Sequence, residues 1–421
     1  MMPRPHRRDL LKALAATGAL AATSGVAFAA PAAARPRDLL VVIFQRGACD
    51  GLHLVGPAAD PAYVEVRPAE LRVTEGDERP GHPLANSLDD RAGFHLHHDA
   101  AGLAELYGDR SLAILHAVGL TTPQRSHFVA QDMMDKGIAR EAEIGRVPDG
   151  WLARLAMPHM AEGALFAAGS SPSLPLSYAG LAGAVAVPDV GAAAGLPGGP
   201  GMRDLLGRLY PAGDDGMVGK AMRRMLNASA LIDGRLDHLP DGKPAPYERA
   251  SRYDNAGESG RALMAVARLA RLDVGLELAA VDVQGWDTHE GQPGRFSALT
   301  GQLSRALTAF WEDIGDRRAN TTVVVMTEFG RRFRANRSNG TDHGRGGAML
   351  VLGAKVAGGR MYGRWPGLGP DQLEDGVDLK VTTDYRAVLA EVLGRRWSPD
   401  DAARAFPGFS LPASSSLGLI A

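Results

Sequence analysis

A single cysteine, Cys49, stands in this chain of 421 residues. No intrachain disulfide can form, and no cysteine-based zinc cluster can be assembled. Charge of one sign is also missing, with 46 Lys and Arg against 48 Asp and Glu. The electrostatic footprint of a nucleic-acid binder is therefore absent, and nucleic acid is excluded as a partner. The chain holds no Walker-type loop and no dinucleotide fingerprint. The run Gly198-Gly199-Pro200-Gly201 follows no strand and reads as a loop. Repeats and low-complexity tails are lacking too. What is present is ordinary globular material, 45% hydrophobic and 22% charged, enough to build the core of one large α/β domain.

The first residues differ from the rest. His6-Arg7-Arg8-Asp9-Leu10-Leu11-Lys12 resembles a twin-arginine export motif, and residues 13–30 form an uncharged, Ala-rich run. Ala27-Phe28-Ala29 then supplies the small-x-small pattern of a leader-peptidase site. The run is too weakly apolar for a good membrane anchor. Residues 1–29 are therefore expected to be a cleaved signal, with the twin-arginine translocase and signal peptidase as partners. The expected location is periplasmic or otherwise extracytoplasmic, with no stable membrane span after cleavage. Cleavage removes Arg4, Arg7, Arg8, Lys12 and Asp9, so 46 basic and 48 acidic residues become 42 and 47. The mature part, 30–421, is thus mildly acidic and is expected to be a single domain.

After a Pro/Arg linker at 31–37, continuous apolar runs occur at 39–44, 112–118, 278–283, 322–326 and 348–352. Such runs suit strands buried on both faces. Helical patterns lie between them, around 127–136, 203–232, 258–273, 296–314 and 384–393. Alternation of this kind predicts a three-layer α/β/α sandwich with a mostly parallel central sheet. Residues 57–93 read as a surface excursion, and 169–202 as a loop-rich insertion.

In open α/β sheets ligands bind beyond the carboxyl ends of the strands. Polar residues gather at those positions here. Strand 39–44 runs into Arg46-Gly47-Ala48-Cys49-Asp50-Gly51, and 278–283 into Trp286-Asp287-Thr288-His289. Strand 322–326 runs into Thr327-Glu328-Phe329-Gly330-Arg331, and Gly340-Thr341-Asp342-His343-Gly344 precedes 348–352. Strand 112–118 is followed by Arg125-Ser126-His127, where Ser126 reads either as a helix cap or as a nucleophile. Asp50 alone would be a plain Asp-Gly turn. Together, carboxylates and imidazoles converging from several strand ends form the donor set of a divalent ion. Cys49 reads as a buried small residue, because no base partner is evident. His95, His97 and His98 form a separate local group away from the strand ends, and Trp151 and Trp286 read as core or as stacking surfaces.

These segments, with Phe128 and Asp149-Gly150-Trp151-Leu152, closely resemble the domain-of-unknown-function 1501 family from about residue 39 to 393. That family is distantly similar to the alkaline phosphatase and sulfatase superfamily, which implies an alkaline-phosphatase-like fold. The resemblance implies metal ligands at Asp50, Asp287, His289, Glu328 and His343, and a nucleophile at Ser126, with Thr121 or Thr122 as further choices. The ion would be zinc, manganese, calcium or iron, in one or two copies. Glu328-Phe329 stands where the superfamily has Asp-His, which removes one imidazole. Among the nearby arginines, Arg46 and Arg331 lie inside motifs and suit contact with a tetrahedral anion, whereas Arg334 and Arg337 read as solvated. Two functions follow. One is a metal-dependent hydrolase of phosphate-like or sulfate-like esters. The other is a non-catalytic exported protein that binds a metal, a glycan or a partner.

Overall fold

A computed structural model describes residues 38–421, apart from 77, 161–163, 195–198, 212–215, 412–415 and 421. The export segment and its linker lie outside the described residues. Five strands form where the apolar runs predict them: β1 (Leu39–Gln45), β2 (Leu112–Gly119), β5 (Leu278–Val283), β6 (Thr321–Met326) and β7 (Gly347–Gly353). Four short strands complete the sheet. These are β3 (Ala167–Gly169), β4 (Val185–Ala186), β8 (Met361–Tyr362) and β9 (Thr383–Asp384).

The spatial order is β8-β2-β7-β6-β1-β5-β3-β4, with β9 paired to β2. β1 runs parallel to β5 and β6, while β7 is antiparallel to both β6 and β2. β2 consequently points the same way as β1. The carboxyl ends of β1, β2, β5 and β6 therefore open onto one edge, where β7 begins.

Side chains alternate across the strands, and both faces are covered. Val41, Ile43, Val281, Val323 and Val325 pack under the helices Ala101–Gly108, Gly257–Arg271 and Gln292–Asp313. Leu40, Val42, Phe44, Ala280 and Val324 face His127–Asp135, Trp151–Ala156 and Tyr385–Arg396. This double burial explains why the strands read as unbroken apolar runs. The expected three-layer α/β/α architecture is the one found. Among the described residues no helix is long and apolar enough to cross a membrane.

Three details depart from expectation. The segment 169–202 is not simply an insertion, because β4 within it and β3 at its start extend the main sheet beside β5. The helical pattern of 203–232 is two helices, Gly199–Leu209 and Met217–Asp233. The sequence between them carries Pro211, Gly213 and Gly216, residues that do not sustain a helix. The first of these helices starts inside the glycine-rich run, at Gly199, so the run is not loop throughout. The excursion at 57–93 folds around a small sheet of Val55–Pro57, Phe94–Leu96 and His82–Pro83.

Candidate metal centre

Each strand end delivers its polar residue by a tight backbone route. The turn after β1 places Gly47 against the turn after β5, and a Cβ on Gly47 would lie 2.4 Å from the Asp287 nitrogen. Gly47 also sits at φ +116°, where a side chain is strained. Arg331, fully buried, bolts the turns together. It donates to the carbonyls of Gly47, Ala48, Trp286 and Thr341 and, at 2.6 Å, to Asp287 Oδ1. A two-stranded antiparallel ribbon, Arg331–Ala335 with Thr341–His343, carries His343 back to the strand edge.

Three imidazoles and one carboxylate meet there. His127 Nε2 lies 3.5 Å from Asp287 Oδ1, His289 Nε2 3.2 Å and His343 Nε2 3.6 Å. His289 Nε2 and His343 Nε2 are 2.8 Å apart. The other nitrogen of every ring faces an oxygen that can only accept. His127 Nδ1 is 2.8 Å from Glu328 Oε1, His289 Nδ1 3.2 Å from Asp342 Oδ1, and His343 Nδ1 2.7 Å from the Arg125 carbonyl. For His127 and His343 this puts the proton on Nδ1, whereas His289 faces a carboxylate at 3.2 Å from each nitrogen. The His127 and His343 Nε2 atoms then lie bare beside the Asp287 carboxylate. At 2.8 Å either His289 Nε2 donates to His343 Nε2 or a cation lies between them. His127 Nε2 is buried with no hydrogen-bond partner.

This is how imidazole ligands are prepared for a metal: the distal nitrogen is fixed by a carboxylate or carbonyl and the proximal one left bare. Ligand atoms of a tetrahedral zinc-type site, with bonds of about 2.0–2.1 Å, lie about 3.3 Å apart. The separations from Asp287 Oδ1 are close to that spacing, whereas His289 Nε2 and His343 Nε2 at 2.8 Å are closer than it. His127, Asp287 and His343 group as donors that fit one borderline divalent ion, and His289 stands beside Asp287 and His343.

The surroundings set the charge of each group. Burial pushes the Glu328 carboxyl up, but hydrogen bonds from His127 and Gln131 carry it below the usual range. Asp287 likewise overcomes its burial through Arg331 and stays low. Burial lowers His343, assisted by the neighbouring His127, Arg331 and His289 charges. For His127 burial is outweighed by Glu328, and its pKa rises.

Of the residues expected at the centre, Asp287, His289 and His343 come together. Asp50 does not join them. It caps the short helix Gly51–Leu54 and is ion-paired at 2.9 Å with Arg67, both side chains fully buried. Gln292 donates to the same oxygen, Oδ2, at 2.8 Å. The guanidinium neutralises Asp50 where a cation was expected, so the donor set supports one ion, not two. Glu328 is also not a free ligand. Fully buried, it accepts from Gly47 N, Gln131, Thr327 and His127, and stands behind His127 as its support.

Arg46 and Arg331 are not free for an anion either. Arg46 is spread over Asp135 and Asp282 at 2.8 and 2.9 Å, and Arg331 is committed as described. Ser126 sits at the N-cap of His127–Asp135 and its side chain makes no capping bond. Thr121 is exposed, and Thr122 is turned to the Ala139 carbonyl.

His127 was not among the expected metal ligands, yet it lies in the candidate group. It stood in the Arg125-Ser126-His127 motif, but only folding shows that Glu328 takes its distal nitrogen. Trp151, Trp286 and Cys49 are buried core, and burial raises the Cys49 thiol pKa. Arg334 and Arg337 are exposed or nearly so. His97 and His98 lie with Asp99 in a separate group.

Residues 219–406 match the model of a family described as a protein of unknown function (DUF1501). That span contains Asp287, His289, Glu328, Arg331 and His343. No curated protein matches the chain. Among solved structures the chain is similar to a Ps i-CgsB chain in complex with k-i-k-neocarrahexaose, 12% identical with a TM-score of 0.37. The match covers 90% of this chain and 74% of that one. It is also similar to a Bacteroides thetaiotaomicron chain described under the metabolism of multiple glycosaminoglycans, 10% identical with a TM-score of 0.38 over the same shares.

Proposed function

We propose that this chain is an exported metal-dependent hydrolase of phosphate-like or sulfate-like esters. The carrying observation is the set of three imidazoles, each with Nδ1 tied to an oxygen and Nε2 turned toward Asp287. Three imidazoles with one carboxylate favour zinc, iron or manganese over calcium. Such an ion, when bound, lowers the pKa of a hydroxyl and offsets the charge of a departing oxygen.

The chain's own residues do the rest. Ser126 lies between Arg125, whose carbonyl holds His343, and His127. Its hydroxyl is the proposed nucleophile: its oxygen bonds to the central phosphorus or sulfur as the bond to the ester oxygen breaks, and the proton it loses ends on the departing alcohol. Water then cleaves the seryl ester, releasing the phosphate or sulfate and restoring the hydroxyl. Helix His127–Asp135 has no side-chain cap at its start, so its first N–H groups and dipole are available to the anionic oxygens. Glu328, Asp342 and the Arg125 carbonyl hold the rings.

The commitment of Arg46 and Arg331 to internal partners favours a second reading, a non-catalytic exported protein that binds a metal, a glycan or a partner. A panel of phosphate and sulfate esters, assayed with zinc, manganese, iron or calcium, separates the two. Metal-dependent turnover abolished by Ser126→Ala, with metal content unchanged, supports the hydrolase. A metal-loaded protein that turns over no ester supports the binding protein.

A further inference from the structure

Asn336 lies in the turn of the ribbon that carries His343, and nothing in the sequence singles it out. Its amide is fixed on every side. Nδ2 donates to the His289 carbonyl at 2.9 Å and to Asp342 Oδ1 at 3.1 Å. Oδ1 accepts from the N–H of Ser338 at 2.9 Å and of Gly340 at 3.1 Å. Flipping the amide would set like against like at all four contacts, so this orientation is determined. Asp342 Oδ1 is also the oxygen that His289 Nδ1 reaches. One side chain therefore grips the backbone of His289 and the carboxylate behind its ring.

The turn is docked as well as bonded. Gly291 N donates to the Ser338 carbonyl and Gln292 N to the Asn339 carbonyl. A Cβ on Gly340 would meet the His289 carbonyl at 2.2 Å. The 336–340 turn and the 288–292 segment thus form one unit, and Asn336 is its polar hub.

We propose that Asn336 is a positioning residue for His289, holding Asp342 so that the ring keeps its proton on Nδ1 and presents Nε2 as a ligand atom. The proposal rests on the metal-centre reading, and supports of this kind typically contribute 10–100-fold in metal affinity. The test compares Asn336→Ala and Asp342→Asn with the unaltered protein. Zinc affinity is read by chelator competition, and the His289 tautomer by side-chain 15N shifts in the metal-free state. Both variants are expected to bind zinc 10–100-fold more weakly and to lose the Nδ1–H preference. Asp342→Asn carries the test should Asn336→Ala fail to fold. Affinity within threefold and an unchanged tautomer in the folded variants would overturn the proposal. If the unaltered protein bound no zinc, the metal-centre reading would fail, and the tautomer comparison would still decide the role of Asn336.

Discussion

Asp50 and Asp287 both follow a strand, yet their environments assign them opposite duties. The Asp50 side chain is fully buried against Arg67, whereas that of Asp287 is 47% exposed beside three imidazoles. Removing one partner of a buried ion pair leaves an uncompensated charge, at a cost of about 3–5 kcal/mol. Asp50→Ala is therefore expected to lower the unfolding free energy by that amount in a denaturant titration. Asp287→Ala is expected to abolish metal binding, and to cost stability as well because it takes the carboxylate from the fully buried Arg331. The signal for Asp50 was readable as an Asp-Gly turn. Its neutralising partner was not, because Arg67 arrives from the 57–93 excursion and is adjacent only after folding.

His116 sets an acid limit that has nothing to do with the metal. Buried on β2, its Nε2 faces the Val55 carbonyl at 2.9 Å and its Nδ1 accepts from Ala117 N. Burial lowers its pKa from 6.5 to about 4. The unfolded ring takes a proton near pH 6.5 while the folded ring stays neutral, so the unfolded state binds more protons between these values. Stability is complete above about pH 6.5 and falls as the pH drops toward 4, by up to about 1.4 kcal/mol per pH unit from this group. Denaturant titrations from pH 7 to 5 check it, and His116→Gln is expected to flatten the slope.

At the scale of elements, the close approach of the turns after β1 and β5 makes Gly47 a sensitive position. Gly47→Ala would place a methyl 2.4 Å from the Asp287 nitrogen and strain φ +116°, which forces the two turns apart. The expected result is metal affinity lowered at least tenfold with the core strands intact, read by chelator competition and circular dichroism. The five long strands were legible because both faces are buried and the runs are unbroken. β3 and β4 were not, since Ala167-Ala168-Gly169 and Val185-Ala186 are too short and too small to stand out. What makes them strands is pairing with β5 and with each other, a contact at long range.

For the whole molecule, the strand order explains the site. Parallel β1, β5 and β6 release their chains at one edge, and antiparallel β7 lets β2 release its chain there too. Convergence of Asp287, His289 and His343 was legible from this logic. The place of His127 beside Asp287 and His343 and the contacts from Glu328, Asp342 and Asn336 depend on side-chain direction, which spacing along the chain does not encode. A site assembled from five separated segments also couples metal binding to folding. At one hundred times Kd, the fitting ion is expected to raise the unfolding free energy by about 2.7 kcal/mol. Calorimetry with and without chelator checks this.

The most direct measurement is the metal content of the purified protein by mass spectrometry, prepared without chelators and without affinity metals. About one equivalent of zinc, iron or manganese per chain is expected, and its loss in the Asp287→Ala/His343→Ala variant. A folded protein that stays metal-free after supplementation with each of these ions would contradict the account.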